Sequence, residues 1–561
     1  MNKTHDLDQV SGRGLASEIG FNAGEAAHPG IGTSARIVLL MIGLYALAVR
    51  VLFISHTMPY PTIGDEAYIS EPALKILQSG DLNPGFFNYP SLSIYLTSLL
   101  QGAGLLAAKA AGQIESAAGV VSISYPHYDP ALVMLIPRLG FTLLSVAGLL
   151  SLGLLGYRLT RLPAMLALPP ALLVVSPSYL FLSWRYLNVD ILGAVLVILA
   201  LTYLIYTLEK SSLLHTAVLP GLFCGMIVAS KYNLGLILVP FLLRIVLLRS
   251  GQRLYSSYIL IAVTLLTFVL IVPYSVLDFG LFRANVKYEI HHYQTGHPGN
   301  EGQPGLPQLL HYLAKLRMEF GLPGFWLGLA GLVDLFRRRF RAALILTSFP
   351  FCLLLFMSGQ KVHFIRNIIS IYALYPVFIA LGVVWSAGIA GRLINRSLGR
   401  GSLARAFRGP LDLAAVLLVS ILLILGLPWT FIRASLAVPQ DSRKAAVTWI
   451  EHNLENGARL IVAQELGMDL SDLEASYRIQ GYPFLEYRPA QSDSGRSVFY
   501  IVPGFGFSDK YPAHRAVIES LQERFAPLER VASFGGRDVR VLEHPAVGPG
   551  NPRFFICRWP G

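Results

Sequence analysis

Two adjacent carboxylates, Asp65 and Glu66, open the run Gly64-Asp65-Glu66-Ala67-Tyr68, a few residues beyond the first long apolar stretch of the chain. Gly80-Asp81-Leu82-Asn83-Pro84 and Phe87-Asn88-Tyr89-Pro90 follow in the same connecting segment. A carboxylate at a membrane boundary is costly unless paired or solvated, which makes it a functional candidate. The chemistry open to it is acceptance of the proton of an attacking hydroxyl. The structural alternative for Asp65 is capping of a helix from Tyr68 to Leu77. Arg138, Arg185, Lys231, Lys361 and Arg366 stand at the ends of further apolar stretches. Cations there can bind a phosphate and stabilise charge developing on it as it leaves. They can equally be snorkelling residues whose stems lie along apolar surface. Asp190 is placed either to join that chemistry or to pair with Arg185.

A second cluster is His291-His292-Tyr293-Gln294-Thr295-Gly296-His297. Adjacent histidines do not share a helix face, and the His-x-x-x-His spacing common in metal sites is absent. No metal site is therefore expected. The segment reads as a loop whose His, Tyr and Gln side chains, His292 and His297 among them, suit hydroxyl partners, or as a merely solvated loop.

The elements that position these residues are expected to be membrane helices. The 561-residue chain is 54% hydrophobic and 14% charged, against about 25% charged in ordinary soluble domains. Apolar runs of about 20 residues, enough to cross roughly 30 Å of hydrocarbon, recur from Ile37 to Ile432. The net charge of +12 is not a nucleic-acid signature, because Lys and Arg sit in short clusters between apolar runs. Those clusters are Arg158 with Arg161, Lys210, Arg244 to Arg253, Arg337 to Arg341, and Arg392 to Arg408. Placing them in the cytoplasm puts Ser183 to Val189, Lys231, Leu277 to Leu322, Gly359 to His363 and everything after Arg433 outside. Asp65, Arg185, Asp190, Lys231, Lys361 and His363 then share the outer face.

Parity leaves Ser91 to Ala111 between two outer points, so it is expected to lie along the interface; a normal span is the alternative. The fold class that follows is an all-α polytopic membrane protein of about eleven transmembrane helices plus an interfacial helix. Residues 1–35 read as a disordered cytoplasmic leader, without the apolar core of a signal peptide. Residues 36–438 form the transmembrane domain, with a first outer loop over 56–130. Residues 439–561 have soluble composition and read as a small extracytoplasmic α/β domain. Within it, Ser442 to Asn453 and Ala513 to Phe525 read as helices, and Arg459 to Ala463 and Val498 to Val502 as strands. Val531 to Phe534 and Asp538 to Leu542 read as a hairpin.

Asp-Glu-Ala-x-Tyr, Gly-Asp-Leu-Asn-Pro and Tyr-Pro-x-Leu together resemble the first outer loop of GT-C glycosyltransferases, in the branch of protein O-mannosyltransferases and aminoarabinose transferases. The resemblance continues at Arg138-Leu139, at Ser183-Trp184-Arg185-Tyr186-Leu187-Asn188-Val189-Asp190, at Ser230-Lys231-Tyr232-Asn233, and at Lys361-Val362-His363-Phe364-Ile365-Arg366. It covers about Asp65 to Tyr375. The resemblance implies an inverting transfer of sugar from a polyprenyl-phosphate donor to a glycan, lipid or protein acceptor on the extracytoplasmic face. In it Asp65 is the general base with Glu66 beside it, and Arg138, Arg185, Lys231, Lys361 and Arg366 meet the donor phosphate. Tyr68, Asn88, Tyr89, Asp190, His292, His297 and His363 are the substrate or acceptor side. No cofactor is expected, and the expected location is a bacterial inner (plasma) membrane. Aminoarabinose transferases carry a Glu-Lys pair where Asn88-Tyr89 stands here, which leaves the donor sugar open. The competing reading is a transporter or flippase of a lipid-linked substrate, which would bury charges near mid-membrane on broken helices.

Overall fold

An apolar chain in a bilayer must satisfy its backbone within each segment, so helices are the available solution. The computed structural model describes residues 33–51, 54–55, 64–120, 131–174, 176, 178–179, 187–247, 252–297, 301–397, 442–463, 470, 473–482, 498–503, 523, 529–534 and 554–558. The first helices are α1 (Thr33–Val51), α2 (Gly64–Ser79), α3 (Leu92–Ala110), α4 (Leu132–Thr160), α5 (Ala164–Val174) and α6 (Val189–Tyr206). A π-helical turn, Leu214–Val218, leads into α7 (Leu219–Ser230), and a 3-10 turn, Tyr232–Ile237, leads into α8 (Leu238–Leu247). Then come α9 (Arg253–Ile271), α10 (Phe279–Thr295), α11 (Leu306–Arg338), α12 (Phe340–Ser358) and α13 (Ile369–Ser397).

Six helical stretches among the described residues are long and apolar enough to cross a membrane: α4, α6, α9, α11, α12 and Ile365–Ile389. Three shorter apolar stretches accompany them: Ala164–Val174, Leu214–Ser230 and Tyr232–Leu247. The apolar run ending at Ile432 and the boundary at 438 lie outside the described residues. α3 coincides with the stretch expected at the interface and is not among the six. Its buried side holds mostly small or polar residues (Ser93, Thr97, Ser98, Gln101, Gly104) against α2 and α4.

The segment from Leu277 to Leu322, read from sequence as a long loop, is largely helical: it holds α10 and the first half of α11. Gly321 (φ 68, ψ 170) kinks α11, a conformation that glycine tolerates, and Pro323 removes a donor just beyond it. α11 and α13 touch backbone to backbone. A Cβ on Gly382 would fall on the Leu327 carbonyl, and one on Gly331 on the Phe378 carbonyl. Small residues permit this close approach where no hydrophobic driving force between helices exists. Fully buried Arg244 on α8 donates to the carbonyls of His215 (2.7 Å), Lys210 (2.8 Å) and Thr207, so its charge completes the turn after α6.

In the C-terminal region, α14 (Ser442–Asn453) precedes a five-stranded sheet of order β2-β1-β3-β5-β4. The strands are β1 (Arg459–Ala463), β2 (Arg478–Tyr482), β3 (Val498–Pro503), β4 (Glu529–Phe534) and β5 (Phe554–Arg558). β1 runs parallel to β2 and β3, whereas β5 is antiparallel to β3 and β4. Ala446 and Ile450 of α14 pack on Leu460, Ile461, Tyr500 and Ile501. β4 is seen to pair with Phe554–Arg558; the expected partner at 538–542 and most of the expected helix at 513–525 lie outside the described residues.

Gly382→Val is expected to cost at least about 3 kcal/mol, the upper end for overpacking, and to abolish recovery of monodisperse protein in detergent. Gly388→Ala, whose Cβ would meet nothing within 4 Å, is expected to behave as wild type in the same chromatography.

Candidate active site at one end of the bundle

α2 lies against α3 and α4 through Ile69, Ala73 and Leu74, which pack on Ile94, Val133 and Met134. That packing holds the start of α2 beside Arg138. Glu66 is fully buried, and Arg138 reaches it twice, from Nε at 2.9 Å and from Nη2 at 2.8 Å. The backbone N–H of Leu187 donates to the same carboxylate at 3.1 Å, and Arg138 Nη1 donates to the Ile54 carbonyl at 2.9 Å. Glu66 and Arg138, which the sequence reading gives as a catalytic and a phosphate-binding group, form this pair with one another. A bidentate pair satisfies both charges where water is excluded. Asp65 is the second residue of α2, so its backbone lies in the first helical turn, where a carboxylate is favoured by the helix dipole.

A second pair forms where α6 and α7 meet. Asn188 caps α6 by accepting from the Asp190 and Ile191 N–H groups, which fixes Asp190 in the first turn. Lys231, at the end of α7, donates through Nζ to Asp190 and to Asn367 Oδ1 at 3.1 Å. Asp190 therefore meets Lys231; Arg185, the partner expected from sequence, lies outside the described residues. Asn367 Oδ1 also accepts from the Tyr293 hydroxyl at 3.0 Å. Two donors on Oδ1 fix the amide's orientation. Asn367 Nδ2 is then buried, with the Tyr312 hydroxyl beside it and no well-formed hydrogen bond among the described residues. A buried donor in that condition is a site for an incoming acceptor atom. Arg366 lies next to this group, stacked over Phe364 at 4.3 Å.

The third group joins the first outer loop to α10. Asn88 Nδ2 donates to Glu289 Oε1 at 3.1 Å, Phe87 N–H to Asn285 Oδ1 at 2.8 Å, and Asn83 Nδ2 to Asp278 Oδ2 at 3.0 Å. The Tyr232 hydroxyl donates to the Phe87 carbonyl at 2.9 Å, which ties this loop to the residue after Lys231. His292 lies one turn on from Glu289, with Nδ1 3.7 Å from its carboxylate, and His292 Nε2 is 3.1 Å from His297 Nδ1. Burial raises the Glu289 carboxyl above its ordinary range, against the lowering effects of His292, Asn88 and Lys231. His297 packs on Phe364 at 5.0 Å.

The remaining expected residues surround these groups. Tyr68 is exposed and stacks on Phe86 at 5.6 Å, and Tyr89 meets the same ring edge-on. Lys361 is exposed, and its N–H donates to the Tyr293 carbonyl at 3.0 Å. His363 stacks on His311 at 4.5 Å. Burial, with Lys315 nearby, lowers the His363 pKa, and Glu301 opposes the shift. Among the described residues no group of three or more His, Cys, Asp or Glu could hold a metal ion. Sequence reading missed Glu289 and Asn367 as site members. The Glu-x-x-His spacing of Glu289 and His292 was a usable signal for the first; nothing local marks the second.

No family model matches the chain, and no curated protein matches it. Among solved structures it is similar to ArnT from Cupriavidus metallidurans in the apo state, with TM-score 0.48 and 14% identity, over 93% of this chain and 98% of that one. Similarity to ArnT from Cupriavidus metallidurans bound to undecaprenyl phosphate has TM-score 0.48 and 14% identity, over 94% and 98%. The archaeal oligosaccharyltransferase AglB from Archaeoglobus fulgidus, in complex with an inhibitory peptide and a dolichol-phosphate, is similar with TM-score 0.48 and 14% identity, over 87% and 72%.

Arg138→Ala leaves Glu66 buried without its cation and is expected to cost about 3–5 kcal/mol, read as a lowered melting temperature in detergent. For Glu289 the sign runs the other way. Its folded pKa is raised, so the stability tied to its protonation is complete below the unfolded value, about 4.3, and is lost as pH rises through the folded value. Glu289→Gln should therefore melt higher than wild type at neutral pH, and the difference should shrink in melts run toward pH 4.

Proposed function

We propose that this chain is a glycosyltransferase of the GT-C type that moves a sugar from a polyprenyl-phosphate donor to a hydroxyl at the outer membrane surface. The observation that carries the reading is the buried Lys231 gathered with the Asn367 amide, whose nitrogen makes no well-formed hydrogen bond among the described residues. A cation and an N–H donor at the end of an apolar bundle form a receptor for one phosphate in a lipid headgroup plane. Hydroxyl-binding side chains on α10 and the first outer loop stand alongside it. The sequence resemblance supports the same assignment.

In the proposed reaction the acceptor hydroxyl gives its proton to Asp65 and its oxygen attacks the anomeric carbon. The bond from that carbon to the phosphate oxygen breaks on the opposite face, with inversion. The electron pair leaves with the lipid phosphate, whose charge Lys231, the Asn367 amide, Arg366 and Lys361 stabilise, with Arg185 as a further cation. Asn88, Tyr68, Tyr89, His292, His297 and His363 contact the sugar or the acceptor, which is a glycan, lipid or protein. Glu66 and Arg138 act as positioning residues that set the start of α2. The reaction uses no metal, and the protein belongs to a bacterial inner membrane with its site on the extracytoplasmic side.

One observation favours the transporter reading. Glu319 is buried on α11, two residues before the Gly321 kink, and accepts from Ser178 N–H at 2.8 Å, Ser178 Oγ at 2.6 Å and Ser176 Oγ. A carboxylate on a broken membrane helix is what substrate movement would use. These serine donors satisfy it within the bundle, so transfer remains the better reading.

Purified protein in liposomes, offered a panel of radiolabelled polyprenyl-phosphate sugars, is expected to release lipid phosphate in the presence of a chelator. Asp65→Asn should lower that rate by roughly 10²- to 10⁴-fold, and Lys231→Gln by about 10²-fold or more, both with unchanged melting behaviour. Movement of labelled lipid across the bilayer with no sugar transferred would establish the transporter reading instead.

A further inference from the structure

The half of α11 before Gly321 carries Gln308, His311, Tyr312 and Lys315 at positions i, i+3, i+4 and i+7, which share one face of a helix. That face is packed on a short backbone crossing. Glu301 bridges to Val362, and the Gly302 N–H donates to the Lys361 carbonyl at 2.7 Å. Gln308 Nε2 and the Tyr312 hydroxyl both donate to the Val362 carbonyl, at 3.1 and 3.3 Å. His311 lies flat on His363, with ring centroids 4.5 Å apart and planes 12° from parallel.

Two polar atoms are left over. Gln308 is 1% exposed, and the bond made by its nitrogen fixes which end of the amide is oxygen. That oxygen, Oε1, is buried and makes no well-formed hydrogen bond among the described residues, and the same holds for His311 Nε2. Buried polar atoms in this condition call for a partner from outside the fold. Gly302 marks the same place. A Cβ built on it would fall 2.1 Å from Gln308 Oε1 and 2.8 Å from His363 Nδ1, so an amide oxygen and an imidazole nitrogen converge where a side chain at 302 would stand. The charges around this cradle oppose one another. Lys315, half-buried one turn beyond His311, makes no ion pair among the described residues, and it and Glu301 act on His363 with opposite signs. Such surroundings favour a neutral ligand over an anion. A hydroxyl fits, because it can donate to an amide oxygen and pair with an imidazole in either tautomer.

The cradle shares its framework with the Lys231 group. The Tyr312 hydroxyl lies beside Asn367, and Asn367 follows His363 by four residues across the 3-10 turn Ile365–Ile368. Tyr293 braces both, donating from its hydroxyl to Asn367 Oδ1 and accepting the Lys361 N–H on its carbonyl. We propose that Gln308 Oε1 and His311 Nε2, with His363, bind hydroxyls of the donor's sugar and thereby select it. The inference rests on the transfer reading and adds to it two residues that read the sugar. An interior water is the competing occupant.

The test uses the donor that the labelled panel shows to be turned over, its singly deoxygenated analogues, and polyprenyl phosphate without sugar as an inhibitor. With wild type in liposomes, at least one analogue should fall by about tenfold or more in kcat/KM, as loss of one buried hydrogen bond implies. Gln308→Met and His311→Phe keep the bulk of each side chain and the ring on His363. In either variant the parent donor should fall while that analogue does not, so that the two come within about twofold of each other. Inhibition by sugar-free polyprenyl phosphate should match wild type, since that lipid lacks the group being read. Melting in detergent identifies which variants are folded, and either one decides the question. A wild type indifferent to every deoxygenation, or a penalty that persists in the folded variants, would overturn the proposal and leave water as the occupant. No turnover of any donor in the panel would instead overturn the transfer reading, and this proposal with it.

Discussion

The contact between Glu66 and Arg138 is the constraint on which one end of the helical bundle depends. Four segments meet there: the residues after α1 through the Ile54 carbonyl, the start of α2, the second turn of α4, and the Leu187 N–H leading into α6. Each brings a group that is expensive to bury alone, and each becomes tolerable only when the others are in place. The result is cooperative in a specific sense. The orientation of α2, and so the place of Asp65, is tied to segments more than seventy residues away.

The Lys231 group is built differently. Glu66 and Arg138 bond to each other and to backbone groups around them, whereas Asn367 accepts two hydrogen bonds on its Oδ1. Saturated pairs hold structure together, and unsaturated ones hold substrates. Glu289 adds a carboxyl kept buried against its own preference, which is tolerated where function needs the group.

Much of this was legible in the sequence because membrane helices announce themselves by composition. The cations and carboxylates at helix ends could be placed on one face by counting basic clusters, and Asp190, Lys231, Lys361 and His363 are indeed gathered at one end. What periodicity cannot carry is the identity of partners. Glu66 and Arg138 are seventy-two positions apart and Asn88 and Glu289 two hundred and one, so each residue looked like a lone charge. The helical character of α10 was hidden by its polar composition, which reads as a loop when membrane apolarity is the standard. In the C-terminal sheet, β1 and β3 were visible as short apolar runs. β2 (Arg478–Tyr482) is half polar, and β5 stands apart near the end of the chain; neither looked like a strand.

The kink in α11 also sets a height. At 33 residues the helix is about 50 Å long, well beyond the roughly 30 Å of a hydrocarbon core, so its two halves live in different media. The half after the kink is the more apolar. The half before it is a strut whose Gln308 and Tyr312 hold the Val362 carbonyl, a few residues before α13 begins. The level of the Val362 carbonyl is thus held by a helix rather than by a loop that could rise and fall. In the proposed transfer, substrates must come to that level: a lipid carrier already does, and whatever receives its cargo must be long or supple enough to reach down to it.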